Sequence, residues 1–319
     1  MADDFLATFH GSIAAPRDRL IALVEEVMNA EVTNLERVTE GYVNEVYRAG
    51  FVSAPTVFVR IKRRGGAAFD SEAWALNTAR RAGVPVPVVY AVTTLEADEP
   101  LEVMVLGSVS GQSLGELWPN LGEASQKQVI GSLGTALGPM HGTEVGGWGK
   151  RIGESWEHAD WESRALGAVR ERSADVPVLR QAGLTETETD ALLAVVQVMP
   201  TLSAPPPVLC HGDLGMDHLF VDDALTLTGV IDFGMWQGGP RELDFAVLTM
   251  YHPDVQLGWL EQTYQAAPFD QAFYRRVLIE QVNTGMGFLA HDLRQGNADY
   301  ADLALAGMRA TLKAWQELG

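Results

Sequence analysis

Two aspartates and a histidine whose side chains could carry out group transfer lie close together late in the sequence. Asp213 follows His211 and Gly212, His218 comes shortly after it, and Asp232 ends an apolar run. One carboxylate can accept the proton of an attacking hydroxyl, while a second carboxylate and another polar group can hold metal ions that bridge phosphates. We therefore expect Asp213 to be a catalytic base, Asp232 to hold a metal ion, and His218 to be the other polar group of the site.

A predicted β-hairpin would bring these groups together. Residues 219–221 and 225–231 are apolar-rich strands, and residues 222–224 supply the turn between them. Folding the hairpin returns His218 to the Asp232 end, with Asp213 on the loop just before. The alternative is that these aspartates only form turns and caps. The combination of His-Gly-Asp with Ile-Asp-Phe-Gly at the hairpin's end favours the catalytic interpretation.

These motifs resemble the aminoglycoside phosphotransferase family, including its macrolide phosphotransferase branch, which has a protein-kinase-like fold. The family pattern is His-Gly-Asp, four residues, Asn, then Ile-Asp-Phe or Ile-Asp-Trp, and its later Pro-x-x-Asp-Leu-Ala is similar to residues 240–246. The resemblance covers roughly residues 20–250. It implies that Asp213 is the base and Asp232 the magnesium ligand, and that Asp244 and His211 support the catalytic loop.

His218 departs from the common family pattern, which has Asn at this position. The macrolide phosphotransferase branch resembles this sequence in having His there. Because Mg²⁺ prefers oxygen ligands, a neutral imidazole could bind the ion weakly, act through a water, or contact a phosphate instead. The sequence leaves these three roles open.

Two cations of the first half of the chain are candidates for contact with nucleotide phosphates. Arg60 and Lys62 alternate with Val59 and Ile61, so both point to one face of a predicted strand. The resemblance places Arg60 where kinases carry a phosphate-contacting lysine, with Lys62 as the competitor. Glu72 shares the apolar face of the next helix and would need a cation as partner. The alternatives are solvated cations and a half-exposed Glu72.

The resemblance also implies the remainder of a site for ATP or GTP. The strand–turn–strand of residues 39–47, with Tyr42 and Asn44, would cover the phosphates, although its single glycine also fits any hairpin turn. The strand that ends near residues 104–109 would be a hinge that offers backbone groups to a purine. Its register is ambiguous, so we expect the contacts at Val105, Gly107 or Val109.

Acidic residues are candidates for binding an acceptor that carries an amine. Residues 154–162 are acidic and aromatic, and they include Glu157 and Asp160, while Asp292 belongs to a late predicted helix. Carboxylates beside tryptophans suit an ammonium group through charge and cation–π contact. The same pattern is typical of an ordinary amphipathic helix with half-buried Trp156 and Trp161, and we favour that interpretation for the segment.

Composition narrows the class of protein. The chain has 319 residues, of which 47% are hydrophobic, and its net charge is -19. This acidity argues against nucleic acid and anionic membrane as partners, and it also serves solubility. The sequence has one cysteine, an acidic N-terminus unlike a secretory signal, and no apolar run of about 18 residues. We therefore expect a cytoplasmic protein.

Hydrophobic periodicity predicts an α+β chain in two parts, and the resemblance makes it a protein-kinase-like two-lobed fold. Residues 1–108 form a small, antiparallel-sheet, nucleotide-binding N-lobe, and residues 109–319 form a mainly helical C-lobe with the catalytic loop and the substrate site. The linker is glycine-rich, at 107–111. Helices are predicted over residues 16–30, 70–82, 123–140, 156–172, 186–199, 241–250, 270–292 and 298–317.

The leading hypothesis is an enzyme that phosphorylates a hydroxyl of a cationic small molecule, such as an aminoglycoside or macrolide antibiotic. One alternative is a kinase of an ordinary metabolite, because fold does not fix function. Another is a nucleotide-binding regulatory module without transfer activity. The presence of Asp213 and Asp232 argues against that module, while Arg60 and His218 leave it open. A scaffold protein or a metal-assisted hydrolase fits the motifs poorly.

Overall fold

The computed structural model describes residues 14–39, 44–63, 68–298 and 301–318. Its small lobe is a five-stranded antiparallel sheet with two helices. These elements are α1 (Arg17–Met28), β1 (Val32–Val38), β2 (Asn44–Phe51), β3 (Val57–Lys62), α2 (Phe69–Arg81), β4 (Val89–Leu95) and β5 (Leu101–Gly107). The strand order in the sheet is β1-β2-β3-β5-β4.

The large lobe is mainly helical, with short strands around residues 211–218, the predicted catalytic loop. Its helices are α3 (Leu114–Leu117), α4 (Glu123–His141), α5 (Trp161–Gln181), α6 (Glu186–Val196), α7 (Glu242–Tyr251), α8 (Gln271–Arg294) and α9 (Ala301–Leu318). Its strands are β6 (Gln112–Ser113), β7 (Trp148–Ile152), β8 (Ser155–His158), β9 (Val208–Cys210), β10 (Leu219–Val221), β11 (Leu227–Val230) and β12 (Gln237–Gly239).

Alternation along β3 determines which side chains face the cleft between the lobes. The side chains of Val57, Val59 and Ile61 are buried in the cluster that α1 covers. Because side chains alternate along a strand, Arg60 and Lys62 face the other side of the sheet. Helix α2 lies on that other side, and its Leu76 packs in the same cluster as Met104 of β5. The sheet therefore presents its basic side chains to α2, as the sequence predicts.

The two lobes share a hydrophobic core. Leu76 and Met104 of the small lobe belong to the same buried cluster as Leu133, Phe233 and Trp236 of the large lobe. The chain leaves β5 at Gly107 and soon enters β6, which pairs with β10 beside the catalytic loop. The division at 108/109 remains a prediction, consistent with this crossing. None of the helices in the described ranges has the length and apolarity to cross a membrane.

The predicted helix over residues 156–172 is wrong at its start. Residues 155–158 are strand β8, which pairs with β7, and helix α5 begins only at Trp161. A tight turn at Gly153, whose φ is +62°, reverses the chain between the two strands. Asp160 then starts the helix as its N-cap, because its carboxylate accepts the Ser163 N–H at 2.8 Å.

Candidate active site

Asp244 at the start of α7 holds the loop that carries Asp213. Its carboxylate accepts the backbone N–H groups of His211 and Gly212, both at 2.8 Å, and lies 3.0 Å from His141 Nε2. Burial alone would raise the pKa of Asp244, but these hydrogen bonds and the nearby histidines hold it below its ordinary value. Gly212 has φ +80°, and a side chain there would collide with the Met235 carbonyl. The bracing contacts expected for Asp244 are present.

His211 joins the catalytic loop to the end of the β10–β11 hairpin. Its Nδ1 accepts the Asp213 N–H at 3.3 Å, so Nε2 carries the proton and donates to the Ile231 carbonyl at 2.8 Å. Burial, helped by the nearby His218, lowers the pKa of His211 and favours this neutral form. His211 therefore makes the supporting contacts that the sequence predicts.

His218 and Asp232 face each other beside Asp213. His218 Nδ1 donates to the Asp213 carbonyl at 2.7 Å, which leaves a lone pair on Nε2 when the ring is neutral. That Nε2 lies 3.9 Å from Asp232 Oδ2, and Nδ1 lies 4.0 Å from Asp213 Oδ2. The hairpin thus brings the three predicted groups together, with one nitrogen and one carboxylate oxygen positioned to share a cation.

Arg60 connects the small lobe to Asp232. One end of its guanidinium forms an ion pair with buried Glu72, and the other lies 3.3 Å from Asp232 Oδ1. Burial disfavours the charge of Arg60, but the two carboxylates outweigh it and raise its pKa. Lys62 instead pairs with Glu102, at 3.5 Å. Of the two candidate cations, Arg60 is therefore the partner of Glu72.

The other predicted nucleotide contacts lie at the edge of the same cleft or outside the described residues. Asn44 begins β2 opposite Lys62, whereas Tyr42 falls outside the described ranges. The Val105 side chain packs in the cluster under α1, so only its backbone could face a purine. The Gly107 N–H already donates to the Val88 carbonyl at 2.8 Å. These contacts with a purine remain predictions. The contact expected at Val109, whose side chain lies against Gly229, also remains a prediction.

Lys150 is a site residue that the sequence analysis missed. It lies on β7 and donates its ammonium group to the carbonyls of Gly234, at 3.2 Å, and Trp236, at 2.9 Å. Burial lowers its pKa from 10.5 to about 8, although Glu157, Glu72 and Asp213 act in the opposite direction. No motif surrounds Lys150, and helices α5 and α6 separate it from the catalytic loop along the sequence. Its position at the site is therefore evident only in the folded protein.

An aromatic surface flanks Asp213 on the large-lobe side. The hydroxyl of Tyr251, at the end of α7, lies 3.3 Å from Asp213 Oδ1, and its ring stacks on Phe288 of α8 at 6.5 Å between centroids. Asp292 lies one helical turn beyond Phe288, on the same side of α8. Burial raises the pKa of Asp292. Tyr251 and Phe288 are further candidates that the sequence did not single out.

The two other predicted acceptor ligands have partners within the protein. Asp160 caps α5 through Ser163, and Glu157 Oε2 accepts the backbone N–H of Lys150 at 3.1 Å. Both side chains are exposed. Glu157 contributes negative charge near Lys150, whereas the carboxylate of Asp160 is engaged at a helix terminus. Their roles toward an acceptor remain predictions.

Comparison with known proteins supports this interpretation of the motifs. The model of the phosphotransferase enzyme family matches residues 34–277. A thermostable variant of aminoglycoside phosphotransferase APH(4)-Ia, in a ternary complex with ADP and hygromycin B, has a TM-score of 0.67 and 17% identity, over 92% of this chain and 97% of that one. A search of curated protein sequences found no match.

Two further solved structures share the fold. A candidate fructosamine-3-kinase from Thermobifida fusca YX-ER1 has a TM-score of 0.65 and 22% identity, over 92% of this chain and 98% of that one. The GDP complex of aminoglycoside 2'-phosphotransferase-IIIa has a TM-score of 0.63 and 17% identity, over 94% and 99% of the two chains. These likenesses confirm the protein-kinase-like fold. With a family match over most of its length, the chain belongs to the phosphotransferase enzyme family and is a small-molecule kinase.

Proposed function

We propose that the protein transfers the γ-phosphate of ATP or GTP to a hydroxyl of a small molecule that carries a protonated amine. The observation on which this proposal rests is the convergence of two lobes on Asp232. Arg60 reaches Asp232 from the small lobe at 3.3 Å, and His218 faces it from the catalytic loop at 3.9 Å. A nucleotide between the lobes would thus meet a cation, a metal-binding pair and a base in one cleft.

Asp213 is the proposed general base. Its carboxylate lies within reach of the acceptor side of the cleft, where Tyr251 donates to Oδ1 at 3.3 Å. In the reaction, the acceptor hydroxyl gives its proton to Asp213 while its oxygen bonds to the γ-phosphorus and the bond to the leaving diphosphate breaks. His211 accepts the Asp213 N–H and Asp244 accepts the Gly212 N–H, so both fix the backbone that leads into this carboxylate.

His218 and Asp232 are the proposed ligands of Mg²⁺. The carboxylate of Asp232 suits this hard cation, and the Nε2 lone pair of His218 is a weaker but usable donor. Desolvation in the cleft opposes ionisation of Asp232, but Arg60 leads the groups that outweigh it and lower the pKa of the carboxyl, which keeps it anionic. When bound, the ion would neutralise phosphate charge. Arg60, held by Glu72, would bind the phosphates from the opposite lobe.

A cationic acceptor is supported by the charge and chemistry around Asp213. Asp292 and the Tyr251–Phe288 pair offer a carboxylate beside aromatic rings, which suits an ammonium group. Glu157 adds negative charge on the hairpin that β7 and β8 form, and the whole chain has a net charge of -19. An aminoglycoside or macrolide antibiotic has this chemistry. The APH(4)-Ia complex, in which a structural relative holds hygromycin B, is consistent with it.

A transfer screen tests the proposal. Wild-type protein is incubated with ATP or GTP, Mg²⁺ and a panel of amino-sugar antibiotics, macrolides, neutral sugars and anionic metabolites, and phosphorylated products are detected by mass spectrometry. The Asp213→Asn variant is the control for contaminating kinases. We expect transfer to amine-bearing acceptors only in the wild type. Transfer confined to neutral or anionic acceptors would refute the cationic class, and no transfer to any acceptor would favour the regulatory module.

A further inference from the structure

Lys150 and its strand hold the backbone segment that follows Asp232. This segment, residues 233–236, is named here the post-Asp232 loop. Lys150 donates to the carbonyls of Gly234 and Trp236, so one ammonium group spans both halves of the loop. The next strand, β12, pairs with β7 through Gly238 and Gly149. Strand β7 therefore holds the loop in two ways. The Lys150 side chain binds two carbonyls of the loop, and backbone pairing holds the strand that follows the loop.

The backbone of the post-Asp232 loop connects Lys150 to the proposed metal ligand. Residues 233–235 form a 3₁₀ turn that begins directly after Asp232, and the Trp236 N–H closes this turn on the Phe233 carbonyl at 3.1 Å. Asp232 itself has φ +60°, a left-handed conformation that needs support from its surroundings in a residue other than glycine. By holding the carbonyls of Gly234 and Trp236, Lys150 supplies such support on the C-terminal side of Asp232.

The same loop packs against the helix that carries Glu72. Trp236 lies 5.1 Å from Trp74 of α2 and 6.0 Å from Trp156 of β8, measured between ring centroids. The Ser71 hydroxyl on α2 also donates to the Arg151 carbonyl on β7, at 3.0 Å. The β7–β8 hairpin therefore contacts both the post-Asp232 loop and α2, the elements next to the two carboxylates that hold Arg60.

We propose that Lys150 is a positioning residue that fixes the post-Asp232 loop and, through the backbone of this loop, orients the carboxylate of Asp232 for Mg²⁺. This inference rests on the proposed function for its metal, but the attachment itself can be tested without any ligand. In this role Lys150 acts on the loop and not on the reacting atoms. A direct contact with the transferred phosphate is the competing role, and the experiment separates the two.

Hydrogen–deuterium exchange of the full-length protein at pH 7, without nucleotide or metal, is the primary test. Lys150→Met removes the donors and keeps the aliphatic stem, Lys150→Arg keeps charge and donors, and Lys313→Met removes an exposed lysine of α9 as the matched control. We expect about tenfold or faster exchange for peptides covering the loop in Lys150→Met, because a charged hydrogen bond is lost. Lys150→Arg and Lys313→Met should remain close to wild type. Unchanged loop exchange in Lys150→Met would overturn the proposal.

Calorimetry with a non-hydrolysable ATP analogue, with and without Mg²⁺, is the second test. Lys150→Met should lose most of the gain in affinity that Mg²⁺ gives the wild type, while its affinity without Mg²⁺ stays unchanged. A full Mg²⁺ gain with slow turnover would overturn the positioning role in favour of direct phosphate contact. If wild-type protein binds no analogue, the proposed function fails, and the exchange experiment alone decides whether Lys150 fixes the loop.

Discussion

His218 presents Nε2 to Asp232 because Nδ1 is engaged by the Asp213 carbonyl. An Asn side chain offers an oxygen that Mg²⁺ accepts well, whereas Leu offers no donor. We therefore expect His218→Asn to retain substantial phosphate transfer and His218→Leu to lose most of it, measured as kcat/KM with the same acceptor. Equal activity of the two variants would mean that His218 serves only for packing.

Glu72 is buried, the Arg60 side chain beside it is 13% exposed, and each compensates the other's charge. Removing one partner leaves an uncompensated buried charge, which typically costs about 3–5 kcal/mol. We expect Arg60→Met to lower the free energy of unfolding by about this amount, and the double variant Arg60→Met/Glu72→Met to lose much less than the sum of the singles. Urea unfolding measures all three variants. Additive losses would show that the pair is not coupled.

Lys150 gives the stability of the protein a pH dependence of defined sign. Its pKa falls from 10.5 to about 8 in the folded protein, so between these pH values the unfolded chain binds more protons. Stability contributed by this group therefore rises as pH increases from 8 to 10.5. Relative to Lys150→Met, the wild type should gain stability over this interval in urea unfolding. A difference between the two that does not change with pH would contradict a buried ammonium group.

At the scale of elements, the β7–β8 hairpin separates Glu157 and Asp160 into different structural roles. Asp160 caps α5, and Asn caps nearly as well while removing the charge. If capping is its role, Asp160→Ala should lower Tm and Asp160→Asn should not, with the KM for the acceptor unchanged in both. A raised KM in Asp160→Asn with normal Tm would instead assign Asp160 to acceptor binding. Thermal unfolding and steady-state kinetics decide between these outcomes.

Strand β3 and the β7–β8 hairpin show where sequence reasoning succeeds and where it does not. The alternation of Val59 and Ile61 with Arg60 is local, so the sequence predicts the face of β3 correctly. Trp156 gives no such pattern, because its burial comes from Trp74 and Trp236, which belong to distant parts of the chain. A run of residues without a clear period could therefore be mistaken for the start of a helix.

The residues of the candidate site also fall into those that local sequence predicts and those that only the fold brings in. Asp213, His218 and Asp232 lie on one hairpin and its loop, so their meeting follows from a single local turn. Lys150 and Tyr251 reach the site from β7 and from the end of α7, through hydrogen bonds that depend on tertiary packing. Local motifs indicate the proposed reactive groups, whereas the residues proposed to position them become visible only in the folded chain.

At the scale of the whole molecule, the two lobes meet where nucleotide chemistry needs both of them. The small lobe contributes the Arg60–Glu72 pair, and the large lobe contributes Asp213, His218 and Asp232. A chain with a net charge of -19 must gather positive charge locally to bind a polyphosphate. Arg60 supplies part of it, and the proposed Mg²⁺ supplies more. In the proposed mechanism, Asp213 acts on the acceptor and Asp232 on the metal ion.

Calorimetry and turnover measured together on Asp213→Asn and Asp232→Ala test this division of roles. A non-hydrolysable ATP or GTP analogue is titrated with and without Mg²⁺, and phosphate transfer is then measured on the same preparations. Asp213→Asn should bind the analogue like wild type, with the full Mg²⁺ gain, and transfer phosphate about 100- to 10,000-fold more slowly. Asp232→Ala should lose the Mg²⁺ gain. Intact turnover in Asp213→Asn would rule out Asp213 as the base, and a wild-type response to Mg²⁺ in Asp232→Ala would rule out Asp232 as the metal ligand.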